Sequence, residues 1–273
     1  MNANQEMQVD QTVFYNRAEH MDLPSAANQG AAHQRVSPRF TFVHTGELVR
    51  RIEPMGWRVV RSKQATVRLP ERMGYQKHAV WLRLSGVMSE MRQGFVPELL
   101  IVNAHDGTSS YQLHAGIYRV VCLNGMVCAD STFSAVRFPH RGSSTDRVID
   151  ASQRLIDAIP QLVDRVNLMK SIDIDQPRRL DFAEEALALR YPENPPVDPP
   201  GLLCVRRSDD AGTDLWSTLN VIQENLLRGG SCTSTGRLTD RRHIRYVRPC
   251  RGIDTTVGLN RRLWEIADRM ALN

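Results

Sequence analysis

The chain has 273 residues with a formal net charge of +5, and its hydrophobic content of 41% and charged content of 24% are ordinary for a globular protein. No apolar run approaches the ~20 residues of a transmembrane helix, and the first residues are too polar for a signal peptide, so we expect a cytoplasmic protein. The five cysteines (122, 128, 204, 232 and 250) are odd in number and scattered, which indicates free thiols in a reducing compartment.

Arginine makes up nearly all of the positive charge. Lysine occurs only at positions 63, 77 and 170, so 32 of the 35 cationic residues are arginine. Arginine presents a planar fork to phosphate and stacks on bases, so this bias is typical of nucleic-acid binding. A genome rich in G and C would produce the same bias without a physical cause, and composition alone leaves both explanations open.

The N-terminal part of the chain changes character after residue 38. Residues 1–38 are rich in Asn, Gln, Ala and Ser without a sustained hydrophobic period, which predicts a flexible arm. Residues 39–43 predict the first strand. Residues 45–52 predict a short helix with Thr45 as its N-cap, and a second strand is predicted to begin at Gly56.

The stretch 78–142 consists of short apolar segments separated by turn signals. The pairs Asp106-Gly107 and Asn124-Gly125 favour turns, because aspartate or asparagine followed by glycine tolerates a left-handed backbone. We therefore predict an antiparallel β-meander, with Asn124-Gly125 as its best-defined hairpin corner.

A long amphipathic helix is predicted after the meander, opened by a capping pattern at Ser143. Val148, Leu155, Leu162 and Met169 recur every seven residues and form one apolar stripe. Pro160 falls inside this pattern and should kink the helix or divide it in two. We expect the stripe to pack on the sheet, which gives an α+β fold of a meander against a long kinked helix.

The C-terminal part begins with a predicted break. A second helix over 178–190 is followed by residues 191–201, which contain five prolines and predict an extended linker. Beyond it, Asp214 is the predicted N-cap of a helix over 215–227 that ends at Gly229-Gly230, and a last helix covers 259–271. The predicted organisation is a flexible arm at 1–38, an α+β core at 39–190, the linker at 191–201 and a basic, mostly helical segment at 202–273.

Two clusters are candidates for chemistry. Asn103, His105, Asp106 and His140 come from a strand end and turns, and could converge on a divalent cation or act as acid and base. The alternative is that Asp106-Gly107 is only a turn and that the neighbouring side chains bond loop backbone. A carboxylate-rich metal site would require more acids than this stretch offers, so no metal is predicted. Cys122 and Cys128 are interpreted as buried thiols.

No cofactor is predicted. The chain has neither the G-x-G-x-x-G spacing of dinucleotide-binding folds nor the GK[ST] triplet of a phosphate-binding loop. We therefore do not expect nucleotide hydrolysis.

Basic residues are concentrated in the 61–77 segment, in the sheet and in the run 228–262. Together with aromatic side chains they suit a groove for single-stranded nucleic acid. The predicted phosphate contacts are Arg61, Lys63, Arg68, Arg119, Arg137, Arg141, Arg237, Arg241, Arg242, Arg245, Arg248 and Arg251. The predicted stacking residues are Tyr75, Tyr111 and Tyr118, with Trp81 and Phe138 as further available aromatics.

Several motifs together resemble an uncharacterised family. They include Asn103–Gln112 (NAHDGTSSYQ), Arg119–Cys128 (RVVCLNGMVC), Val136–His140 (VRFPH), Gln223–Leu226 (QENL) and Leu259–Trp264 (LNRRLW). With these the chain resembles the plasmid-, phage- and prophage-associated YfjQ-like proteins, a domain-of-unknown-function family. The resemblance implies a setting in mobile DNA and no particular reaction.

The first functional hypothesis is a DNA-binding protein of mobile elements that prefers single strands and acts in recombination without a cofactor. A meander crossed by a long helix is also the outline of ring-forming single-strand annealing proteins, an analogy of fold that adds a homo-oligomeric ring to the expected partners. The alternatives are a metal-dependent nuclease that uses Asn103, His105, Asp106 and His140, and a protein-binding module that inhibits host defence.

Overall fold

The fold was obtained as a computed structural model, which describes residues 22–84, 95–119, 124–127, 136–140, 145–206, 210–229 and 247–272. Within these ranges a six-stranded sheet is combined with helices, which confirms the predicted α+β class. The described residues form two compact units, one within 1–114 and 135–154, the other within 115–134 and 155–273. The proline-rich segment 191–201, which the sequence predicts as a linker, lies within the second unit.

The sheet is the predicted meander. Its strands are β1 (Trp57–Gln64), β2 (His78–Leu84), β3 (Phe95–Asn103), β4 (Tyr111–Arg119), β5 (Asn124–Val127) and β6 (Val136–Phe138). They follow the order β1-β2-β3-β4-β5, and β6 pairs with β4 beside β5. The expected hairpin corner at Asn124-Gly125 is wrong, because Asn124 pairs with Arg119 and Gly125 with Tyr118 inside the ladder. Residues 120–123, between the paired positions, lie outside the described ranges.

Helix α1 (Thr45–Ile52) forms where the sequence predicted it, but with a different cap. The ring of His44 accepts a hydrogen bond from the backbone N–H of Glu47 at 3.0 Å, so His44 is the N-cap. Thr45 is fully buried, and its hydroxyl bonds to His78 at 2.8 Å. Aspartate and serine are the usual signals for a cap, and a histidine cap offers no such signal.

The segment before α1 differs from the prediction in two ways. The residues predicted as a strand, 39–43, have no strand pairing, and the Thr41 N–H instead bonds to the His140 carbonyl at 2.8 Å. Residues 22–38, the described part of the predicted flexible arm, pack against other parts of the chain. Ala26 and Ala27 are fully buried, and the N–H of His33 bonds to the carbonyl of His105 at 2.9 Å.

The remaining helices are α2 (Thr145–Asp157), α3 (Ile159–Ser171), α4 (Gln176–Arg190), α5 (Pro199–Leu202), α6 (Leu215–Arg228) and α7 (Ile253–Leu272). The predicted long helix is divided in two, because Pro160 occupies the first turn of α3, where its missing N–H costs nothing. The second half of the predicted helix packs against other helices, whereas the sequence predicted the sheet as its partner. Leu162, Val166 and Met169 are fully buried, and α3 packs against α6 and α7.

The second unit has an apolar core between helices. Trp216 of α6 meets Trp264 of α7 edge to face, with ring centroids 6.5 Å apart. Asp214 caps α6 as predicted, since its carboxylate accepts from the Ser217 N–H at 2.9 Å. Cys204 and Cys250 are free thiols, whereas the other three cysteines fall outside the described ranges. No helix among the described residues is long and apolar enough to cross a membrane.

Candidate functional site

Basic side chains share one face of β1, which stands at one end of the strand order given above. Arg58 pairs with Arg83, Arg61 with Trp81 and Lys63 with Ala79 across the antiparallel ladder with β2. Directly opposed residues point to the same side of a sheet, so the alternating positions 79, 81 and 83 place all three cations on one side. We call Arg58, Arg61 and Lys63 the basic face of β1.

A β-bulge is what brings these three residues together. The register shifts between Val59 and Arg61, so β1 has one residue more than β2 at this point. Without that extra residue, Arg58 and Arg61 would point to opposite sides, because side chains alternate along a regular strand. Bulges often re-aim a side chain in this way, and here the effect is a row of exposed positive charge.

Arg61 is held over an aromatic ring. Its guanidinium carbon lies 3.9 Å from the centroid of the Trp81 ring, a cation–π contact, and Arg61 itself is exposed. Trp81 is only 8% exposed, so Arg61 is the solvent-accessible member of this pair. The planar guanidinium group of Arg61 is therefore positioned for stacking as well as for binding anions.

Two arginines at this face, Arg83 and Arg58, have defined hydrogen-bond partners. Arg83 donates from Nε to the carboxylate of Glu98 at 3.0 Å, so this buried acid is compensated within the sheet. Arg58 donates from Nη1 to the carbonyls of Glu53 and Trp57, at 2.7 and 3.0 Å, which orients its guanidinium group. The basic face of β1 therefore presents its charge in a defined arrangement.

The remaining predicted phosphate contacts are spread over the chain. Arg68 and Arg137 are exposed in the first unit, and Arg248 and Arg251 are exposed in the second. The positions whose side chains lie outside the described part of the chain are Arg119, Arg141, Arg237, Arg241, Arg242 and Arg245. Arg58 is not among the phosphate contacts predicted from the sequence. It lies three residues before Arg61, and side chains at that spacing point to opposite sides of a regular strand. Only the bulge shows that the two arginines share a face.

The predicted stacking residues differ in their accessibility. Tyr75 is half-buried and meets His33 edge to face, with ring centroids 5.1 Å apart. Tyr111 is fully buried beside Phe138, so its ring is part of the core and no base can stack on it in this conformation. The side chain of Tyr118 is not among those that the structure describes.

A buried polar network occupies the side of the sheet opposite the basic face. The amide Nδ2 of Asn103 donates to the Val43 carbonyl and to the Thr45 hydroxyl, both at 3.0 Å. The Thr45 hydroxyl donates to His78 Nε2 at 2.8 Å, and His78 Nδ1 donates to the Gln76 carbonyl at 3.1 Å. Each link has a donor and an acceptor, so the network satisfies polar groups inside the core.

His105 belongs to the same network. It is fully buried, and its Nε2–H donates to the Val43 carbonyl at 3.2 Å, while its buried Nδ1 has no hydrogen-bond partner. Burial, and next the neighbouring His78, lower the pKa of His105 to about 3. Burial likewise lowers the pKa of His78 to about 4, and the Gln76 carbonyl and Asp106 offset only part of the effect. Both rings are therefore uncharged near neutral pH.

The four residues predicted for metal or acid–base chemistry fall into two pairs. Asn103 and His105 are fully buried in the network, whereas Asp106 and His140 line a cleft. Asp106 uses Oδ1 to accept from the N–H and the hydroxyl of Thr108, at 3.0 and 2.6 Å. His140 donates from Nδ1 to the Thr41 carbonyl at 2.8 Å. Among the described residues, no group of three or more His, Cys, Asp or Glu side chains is arranged to hold a metal ion.

The chain is similar to a family of unknown function and to two proteins of Escherichia coli. The model of a family described as a domain of unknown function, DUF932, matches residues 32–264. Two proteins of Escherichia coli (strain K12), UPF0380 protein YafZ and UPF0380 protein YfjQ, are each 36% identical to it over 239 residues, or 87% of this chain and 85% of the relative. No solved structure matches the chain.

Proposed function

The chain belongs to the DUF932 family, and we propose that it binds single-stranded DNA through the basic face of β1. The observation that carries this proposal is the row of Arg58, Arg61 and Lys63, with the Arg61 guanidinium over the Trp81 ring. Exposed cations bind phosphate, and a supported planar group stacks on bases, so one face supplies both parts of single-strand recognition.

The geometry favours a single strand over a duplex. The three cations pair with residues 83, 81 and 79 of β2, which are spaced two residues apart. The Cα atoms of the cations therefore follow one another at intervals of about 6–7 Å along the sheet. This row is extended and lies on a sheet, and no recognition helix carries it into a groove. The stack on Trp81 is useful only for bases whose faces are exposed, and in a duplex those faces are covered by neighbouring base pairs.

A role in mobile genetic elements is part of the same proposal. It is supported by the resemblance of the NAHDGTSSYQ and RVVCLNGMVC motifs to plasmid- and phage-associated proteins. Annealing of complementary strands during recombination, in a homo-oligomeric ring, is the activity that we propose for such a protein. Size-exclusion chromatography with light scattering, with and without an oligonucleotide, measures the assembly directly.

Arg61→Gln is expected to weaken binding of a fluorescent single-stranded oligonucleotide about tenfold or more, because it removes a charge and a stacking group together. Fluorescence anisotropy at low salt measures the affinity. The slope of log affinity against log salt should become shallower by about 0.7, since one phosphate contact is lost.

The matched control is Arg50→Gln. Arg50 is an exposed arginine of α1, and Thr45 at the start of this helix bonds to His78 and Asn103, on the opposite side of the sheet. The affinity of the Arg50→Gln variant for the oligonucleotide should stay within about twofold of that of the parent protein, as expected for a solvated surface charge. Equal losses for the two variants would show that binding depends on net charge and not on the basic face of β1.

The same titration separates the other hypotheses. With magnesium present, cleavage of the labelled strand on a denaturing gel would indicate a nuclease. No affinity for either single or double strands at low salt would indicate a protein-binding module.

A further inference from the structure

A cleft of about 460 Å³ lies in the first unit, apart from the β1 residues that form the basic face. This volume is within the range of sites that hold small ligands. Its lining combines one arginine, one aspartate, three serines and an aromatic pair: Arg35, Ser37, Phe40, Asp106, Ser109, Ser110 and His140, with Val36, Gly107 and Pro139 between them.

Two turns build the cleft. On one side the chain reverses at 33–40, where the N–H of Val36 bonds to the His33 carbonyl at 3.0 Å and the N–H of Phe40 to the Ser37 carbonyl at 2.8 Å. On the other side, Asp106 Oδ1 closes a turn onto Thr108. Gly107 adopts φ +79° there, a backbone conformation that favours glycine. Hydrogen bonds inside both walls fix the cleft before any ligand arrives.

An aromatic platform forms part of the wall. The ring of Phe40 is stacked on the ring of His140, with centroids 4.2 Å apart and planes 18° from parallel. His140 is buried, whereas Phe40 remains partly exposed. This arrangement keeps the Phe40 ring in place and offers it to a planar ligand group.

Hydrogen-bond donors are available beside this platform. Arg35 is largely exposed, and its ion pair with Glu71 is long, at 3.9 Å between Nη1 and Oε1. The Ser37 oxygen accepts from the Arg39 N–H at 3.2 Å, which leaves the Ser37 hydroxyl proton for another acceptor. A guanidinium group with a nearby hydroxyl is suited to a phosphate oxygen.

The charge of the lining limits which phosphate fits. Arg35 contributes one positive charge and Asp106 one negative charge. His140 adds none near neutral pH, because burial lowers its pKa and the carbonyls of Thr41 and Ser109 oppose this only in part. A phosphodiester with a single negative charge matches one arginine, whereas the several charges of a nucleoside triphosphate would be repelled by Asp106.

We infer that this cleft binds one nucleotide unit of a DNA strand, with the base on Phe40, the phosphodiester on Arg35 and Ser37, and a base N–H on Asp106. The inference rests on the proposed function for its ligand class, but it uses different residues. The cleft is thus a second binding site, which holds a single unstacked nucleotide. The basic face of β1, by contrast, follows the phosphate backbone of the strand.

Short ligands test the cleft without the rest of a strand. The dinucleoside monophosphate TpT is titrated into the full chain by ligand-observed NMR, beside thymidine 5′-monophosphate, thymidine 5′-triphosphate and inorganic phosphate. TpT should bind most tightly and the triphosphate more weakly than the monophosphate. No TpT binding at millimolar concentrations, or a preference for the triphosphate or for inorganic phosphate, would overturn the inference.

Variants locate the binding. Phe40→Leu and Arg35→Gln should each weaken TpT binding about tenfold. The matched controls Phe42→Leu and Arg39→Gln alter neighbouring side chains that do not line the cleft, and should change it less than about twofold. Arg35 is a surface residue, so its variant keeps the test valid if Phe40→Leu is unstable. Equal effects in variants and controls would place TpT elsewhere and overturn the inference.

The two proposals fail in different ways. If the basic face of β1 is not used, Arg61→Gln leaves long-strand affinity unchanged while Phe40→Leu still weakens TpT binding. If the cleft is not used, TpT binding is absent or insensitive to Phe40 while Arg61→Gln still weakens binding of the long strand.

Discussion

Replacing Gly229 by alanine is expected to lower the free energy of unfolding by about 3 kcal/mol or more, the range for a strained backbone combined with a steric clash. Gly229 ends α6 with φ +68°, a conformation that side chains rarely adopt. A Cβ atom there would lie 2.2 Å from the Val247 carbonyl oxygen and 2.8 Å from the Pro249 nitrogen. These are backbone atoms, so the segment 247–249 would have to move. Urea denaturation followed by circular dichroism measures the change.

Gly258→Ala is the matched control for this substitution. Gly258 lies inside α7, and an added Cβ would meet nothing within 4 Å. Alanine there should stabilise the chain by about 0.5–1 kcal/mol, because glycine is a poor helix former. If Gly229→Ala proved as well tolerated as Gly258→Ala, α6 could not end against the segment 247–249 as described.

Lowering the pH from 7 to 5 is expected to reduce the free energy of unfolding by about 2 kcal/mol for each of His78 and His105. Burial holds the pKa of the folded His78 at about 4 and that of His105 at about 3, against the ordinary histidine value of 6.5. Below about pH 6.5 the unfolded chain therefore takes up protons that the folded chain does not. The stabilisation is complete above this pH and is lost as the pH falls through 6.5 towards the folded values.

His105→Gln separates this effect from other titrating groups. Glutamine retains an N–H that can reach the Val43 carbonyl, but it has no proton to take up in this range. The dependence of the unfolding free energy on pH should then lose the share of His105, about half of the histidine contribution. Denaturant midpoints at pH 7, 6 and 5 give the dependence of the unfolding free energy on pH. The other charges that act on the two rings are the same in both proteins: Asp106, His140 and His44. An unaltered slope would contradict the neutral, buried state of His105.

Patterns with a period or a strong cap were predictable from the sequence. The meander follows from alternating segments separated by turn residues, and the division at Pro160 follows from its missing N–H. Asp214 was predictable as a cap because its carboxylate is followed by an apolar helical pattern. The family was recognisable because the motifs, beginning with the one around Asp106, are long and specific.

Features that depend on tertiary contacts were not predictable. Residues 39–43 have the apolar character of a strand, but they bond to the loop at His140. The bulge after Val59 changes which side chains share a face, and no residue type in β1 signals it. Tyr111 has the composition of a stacking residue, and only the packed sheet shows that it is buried.

The candidate site was predictable in kind and only partly in position. Arg61 and Lys63 were recognised as basic residues, whereas Arg58 and the role of Trp81 as a support required the ladder. His105 was selected for its chemistry, but burial makes it a neutral member of a structural network. A cluster of polar residues in a sequence does not distinguish a site from a buried network, since both need matched donors and acceptors.

Binding of single-stranded DNA by the basic face of β1 is tested most directly by the affinity for a labelled single-stranded oligonucleotide and for its duplex, over a series of salt concentrations. We expect the single strand to bind more tightly than the duplex. We also expect the log affinity to fall linearly with log salt, with a slope as steep as about −2 or steeper for the three cations of the basic face. Equal or tighter binding of the duplex, or affinity that does not change with salt, would contradict the proposal.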